Sequence, residues 1–134
     1  MKPCPACPWV RNSEPGALGG SPAETYVGQA ILPFWLPCHS SANYAGKASD
    51  VNQVQECAGA AIFRANIGVK SPDALLSMPA DREIAFSTPA EFYAHHRRIK
   101  LADAERILNA DKIEELALRQ LYETNVRMQL KRRK

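Results

Sequence analysis

No run of about 18 apolar residues occurs in this chain of 134, so no helix able to span a bilayer is expected. Glycine is missing after Gly68 and cysteine after Cys57. A second half without glycine has little to interrupt a helix, and chemistry based on sulfur is confined to the first half. Charge of one sign is also scarce. The balance of 17 basic against 14 acidic residues leaves +3, too little to name a partner without regard to where the charges lie. Also missing are Gly-x-Ser-x-Gly, a phosphate-cradling glycine-rich loop and His-Glu-x-x-His. The sequence therefore leans away from an enzyme, since none of these common signatures of hydrolysis or nucleotide chemistry is present. Behind Lys2 no apolar segment of the secretory type follows, and a reducing, cytoplasmic setting is the expectation.

What is present divides at Gly68. All seven glycines and seven of the ten prolines fall within residues 1–68. The fold class that follows is mainly α with irregular loops: a small cysteine-rich domain over 1–68, then a helical extension over 69–134 with one long helix and a basic tail. Ser21-Pro22-Ala23-Glu24 predicts a helix from there to about Leu32, with serine as the cap. A second helix is expected from Val51 to about Asn66, capped by Asp50 and stopped at Gly68. Ser71-Pro72 predicts a short helix through Leu75 and Leu76, and Thr88-Pro89-Ala90-Glu91 predicts another to about Arg98. From Ala102 to about Lys131 the only interruption expected is at Asn109-Ala110-Asp111. Ile113, Leu116, Ala117, Leu121 and Val126, flanked by Leu118, Tyr122 and Met128, make an apolar stripe that must pack on something.

The residues that point most directly at chemistry are the four cysteines, Cys4-Pro5-Ala6-Cys7, Cys38 and Cys57. A Cys-x-x-Cys pair clamps one ion from a single turn of chain, and two further thiols complete a four-sulfur shell. A unit of 68 residues buries little apolar surface, so a metal closing its long loops would supply the constraint that a small core lacks. Zinc is the expected ion; a 4Fe-4S cluster is the alternative, favoured by Pro5 and Pro8, which remove N–H donors around the thiolates. Spacings of 30 and 18 residues between successive ligands match neither a common zinc ribbon nor a ferredoxin. Two competing readings are burial of Cys38 and Cys57 as small apolar side chains and a redox-active Cys-Pro-x-Cys pair. His39 and Trp9 are candidates to support the ligands from behind, His39 through a hydrogen bond to a thiolate. The small stretch Cys57-Ala58-Gly59-Ala60-Ala61 is expected to bring its backbone close to the cysteine cluster.

Residues 69–134 carry thirteen basic side chains and ten acidic ones. Arg97, Arg98 and Lys100, with Lys131, Arg132, Arg133 and Lys134 at the end, are candidate contacts for nucleic acid or an acidic partner. Glu105, Glu114, Glu115 and Glu123 on the same helices temper the nucleic-acid reading. The expected function is a metal-stabilised, non-catalytic binding module that docks on a larger protein assembly. A nucleic-acid-binding regulator and an iron–sulfur redox protein are the alternatives.

Cys4-Pro5-Ala6-Cys7-Pro8-Trp9, then Pro37-Cys38-His39, then Cys57-Ala58-Gly59 resemble a family of small uncharacterised bacterial and phage proteins with a Cys-x-x-Cys-Pro-Trp opening. The resemblance covers roughly residues 3–68 and implies that the four cysteines act together on a metal. Members often place arginine directly after the tryptophan, whereas here Val10 intervenes before Arg11. A phage origin would make a virion-associated location the alternative to the cytoplasm.

Overall fold

The computed structural model describes residues 7–18, 21–32, 57–69 and 77–132, the last nine of these as backbone only. Five helices account for most of this: α1 (Ala23–Ile31), α2 (Ala58–Asn66), α3 (Pro89–Arg97), α4 (Leu101–Ile107) and α5 (Ala110–Arg132). The chain is mainly helical with irregular connections, as its composition predicts. Among the described residues the one β-type pairing is a bridge between Val10 and Ala85, where the N–H of Arg11 donates to Ile84 and that of Phe86 donates to Trp9.

Several helix boundaries have a local cause. Thr88 accepts a hydrogen bond from the Glu91 N–H at 3.1 Å with Pro89 in the first turn, so the expected start of α3 is met. Its end is made by Arg98, a non-glycine residue at φ 56°, with the Ile99 N–H reaching back to the Ala94 carbonyl. Asn109 accepts from the Lys112 N–H at 2.9 Å and so separates α4 from α5 at the expected interruption. Gly68 at φ 78° ends α2; its N–H bonds to Ala65 while that of Val69 bonds to Arg64, a paired closure that favours glycine at the left-handed position.

Two helix starts differ from expectation. Pro22, not Ser21, occupies the cap of α1, and its extended backbone at ψ 160° makes Ala23 the first helical residue without any side-chain cap. Cys57 caps α2, so that helix begins at Ala58 and not at Val51. The reason is chemical: the Cys57 sulfur accepts the Ala60 N–H at 3.3 Å and takes the part that serine or aspartate usually plays. Asp50, Val51 and the predicted helix at Ser71-Pro72 lie outside the described residues.

One core spans both parts of the chain. Trp9 stacks on Phe92 with ring centroids 4.4 Å apart, lies 4.8 Å from Phe63 and meets Tyr26 edge-on at 5.9 Å. A single indole from the N-terminal segment thus joins α1, α2 and α3. Aromatic contacts of this kind add about 0.5–1.5 kcal/mol each beyond their buried area. Arg11 strengthens the same junction by pairing with Glu91 at 2.6 Å and donating to Ser87 and the Arg82 carbonyl.

Helix α5 lies on α1 through a close approach at Gly28, where a Cβ would sit 2.6 Å from the Leu116 carbonyl oxygen. Leu116 and Ala117 are buried there, Ile113 is partly buried, and Gln120 bonds to Gln29. The remaining described members of the apolar stripe face outward: Leu118 is 58% exposed, Leu121 41% and Tyr122 70%. Among the described residues only part of the predicted stripe is therefore covered, and Val126 and Met128 belong to the segment described as backbone.

Candidate functional site

Cys7 lies just ahead of Trp9 and Cys57 just ahead of α2, and packing of the indole against α2 brings the two together. Their sulfur atoms are 3.7 Å apart and both residues are buried, at 0% and 4% exposure. At that separation the sulfurs share one S–H···S hydrogen bond. Gly59 makes the approach possible. A Cβ at position 59 would lie 2.1 Å from the Cys7 sulfur, so the sulfur fills the space that any other residue would need. The expected close approach of the small Cys57–Ala61 stretch is seen here towards Cys7, while Cys4 and Cys38 lie outside the described residues.

The environment of Cys57 favours its thiolate. The hydrogen bond from Cys7 is the largest influence, burial opposes it, and the Ala60 and Gly59 N–H groups with the Arg64 charge add to the lowering of the thiol below its usual 9.0. The first-turn N–H groups of a helix carry a partial positive charge that suits an anion at its cap. A buried sulfur pair with this bias can act as a ligand edge for a soft metal ion, or as a dithiol.

The structure brings together two of the four cysteines predicted to share a metal. Cys4, Cys38 and His39 lie outside the described residues, and among the described residues no group of three or more His, Cys, Asp or Glu is arranged to hold a metal ion. Trp9 is a core residue directly behind the pair, 3.4 Å by its Cβ from the position a Gly59 side chain would take.

The basic candidates are distributed differently. Arg97 lies 3.8 Å from Glu24 and over the Tyr93 ring, and Arg98 donates to the Pro15 carbonyl. Lys100 is exposed at the cap of α4. Lys131 and Arg132 continue α5, while Arg133 and Lys134 lie outside the described residues.

Sequence reasoning missed several groups that position the site. Arg64 is buried on α2 and donates to the carbonyls of Gln29, Ala30 and Leu32 at 2.8–2.9 Å, satisfying the end of α1. Asn66 donates to Asp81, Ala85 and Phe86 and accepts from the Asp81 N–H, which fixes the loop opposite Trp9. His96 accepts from the Gly16 N–H at Nδ1 and therefore carries its proton on Nε2, which donates to Pro8 at 2.7 Å. Burial is the main cause that lowers His96 below 6.5; the Pro8 bond opposes it, and neighbouring His95 assists. For Glu91 burial works against the charged form, yet Arg11 and the Ser87 N–H outweigh it and lower the carboxyl below 4.5. Of the adjacent pair His95-His96, His96 is the packed member and His95 is half-buried against Ser13.

No family model matches the chain, and neither a curated protein nor a solved structure does.

Proposed function

We propose that this chain is a thiolate-metal binding module in which Cys4, Cys7, Cys38 and Cys57 hold one zinc ion and α5 docks on a larger protein assembly. The observation that carries the reading is the 3.7 Å between the Cys7 and Cys57 sulfurs. Two thiolates on one tetrahedral zinc, each at ~2.3 Å, stand about 3.8 Å apart. In a 4Fe-4S cluster each cysteine binds a different iron, and sulfurs so placed are more widely separated. The spacing therefore favours a single ion over that cluster.

A four-sulfur shell leaves no open position on the ion, which suits a structural role better than a catalytic one. Docking is supported by the outward face of α5, where Leu118, Leu121 and Tyr122 present apolar surface beside the partly covered α1 contact. An accessory part of a phage particle or enzyme complex fits this form. Arg97 and Arg98 are engaged within the chain, which weakens the competing nucleic-acid reading.

Metal analysis with an absorption spectrum on anaerobically purified protein tests the proposal. One equivalent of zinc in a colourless protein is expected. A brown protein containing iron and sulfide, or a folded protein that binds no metal, overturns it.

A further inference from the structure

We propose that Cys7 and Cys57 form a reversible disulfide in the metal-free chain, so that oxidation of this one pair closes the site to its ion. The proposal deepens the thiolate reading by naming its regulation, and it rests on that reading only for the loss of metal.

The geometry singles out the pair. Their sulfurs are 3.7 Å apart although 50 positions separate the residues. Closing that gap to a bond of about 2.05 Å asks each sulfur to move less than ~1 Å, within reach of small side-chain rotations. Cys57 is a cap with extended backbone at ψ 109°, outside the regular helical turn, and has more room to adjust than a residue inside α2. Gly59 removes the one Cβ that would separate the sulfurs from the first turn of the helix. Trp9, Phe63 and Phe92 hold the segment containing Cys7 against α2, so the encounter is built into the core.

The oxidant is a hydroperoxide. One sulfur attacks a peroxide oxygen; the O–O bond breaks, and a sulfenic acid and water leave the step when the peroxide is hydrogen peroxide. The other sulfur then attacks the sulfenic sulfur. The S–S bond forms, the S–O bond breaks, and the departing hydroxide takes the second thiol proton as water. Two thiols and one hydrogen peroxide thus give one disulfide and two waters. With both sulfurs bonded to each other, neither is a thiolate ligand, and the ion has lost two of its proposed four donors.

The test uses the full chain, reduced, stripped with a chelator and treated with one equivalent of hydrogen peroxide, followed by alkylation and peptide mapping without reductant. The dominant linked product is expected to join Cys7 to Cys57. In denaturant the product should shift to Cys4–Cys7, because the shorter loop closes with less entropy cost. A Cys4→Ser/Cys38→Ser chain should retain the link, and Cys57→Ser should lose it. A folded native chain that links Cys7 to Cys4 or Cys38, or that ends as sulfinic acids without a bridge, overturns the inference. Zinc titration of the same reduced sample separates the two proposals. A Cys7–Cys57 bridge in a protein with no zinc affinity supports the disulfide and defeats the metal reading, whereas tight zinc binding with no bridge defeats the disulfide alone.

Discussion

Gly59 and the Cys7 sulfur compete for one volume, and the sulfur occupies it. Gly59→Ala places a methyl 2.1 Å from that sulfur. The substitution should cost about 1–3 kcal/mol as an overpacked core does, despite the better helix propensity of alanine. Urea unfolding of the two proteins measures it, and an unchanged midpoint would mean that the close approach does not exist. His96 gives a second test at this scale. Its folded pKa lies below the 6.5 of the free side chain because burial disfavours the charged ring. The unfolded chain therefore binds the extra proton first. Its contribution to stability is full above about pH 6.5 and falls as pH drops through that value towards the folded pKa. An NMR titration should place the His96 midpoint below 6.5, and denaturation should show stability declining from pH 7 to pH 5.5. The roles of these residues were unequally legible. Cysteine announces its chemistry by type, and the small residues after Cys57 signalled a close approach, but His96 depends on Pro8 and Gly16, which lie at least 80 positions away and leave no local mark.

The helices depend on one another for their ends. The last carbonyls of α1 have no glycine closure of their own, and the buried guanidinium of Arg64 on α2 satisfies those of Gln29, Ala30 and Leu32. Arg64→Lys keeps the charge but loses the planar fork, and should destabilise by roughly 2–4 kcal/mol through the acceptors left unpaired. Calorimetry of the variant checks this, and a shift within error would assign the capping elsewhere. Where a boundary depends on side chains within one turn, as at Thr88-Pro89-Ala90-Glu91 or Asn109, the sequence displayed it. Where it depends on a sulfur acting as a cap, as at Cys57, the usual capping code pointed upstream to Asp50. The Arg64 contacts cross between helices some 32 to 35 positions apart, and no periodicity records them.

At the scale of the molecule, the loop-rich first part and the helical second part share Trp9, Phe63, Phe92 and Leu116 in one hydrophobic cluster. Stability and site geometry are thus linked: what loosens α3 or α5 also loosens the segment holding Cys7. The two faces of α5 should respond differently to charge. Leu116→Glu buries a carboxylate at a position 2% exposed and should unfold the chain, while Tyr122→Glu, on a residue 70% exposed, should change stability by less than about 0.5 kcal/mol. Thermal melts of both variants test which face belongs to this core. A large loss from Tyr122→Glu would show that the outward face is already occupied within the chain. The sequence displayed the apolar stripe but not its division between self and surroundings, because that division is set by which face of α5 meets α1 at Gly28.

X-ray absorption at the zinc edge of the metal-loaded full chain tests whether the four proposed sulfur ligands meet on one ion. A shell of four sulfur neighbours at about 2.3 Å is expected, reduced when Cys7 or Cys57 is replaced by serine. A shell of nitrogen and oxygen, or a spectrum indifferent to those two substitutions, would contradict it.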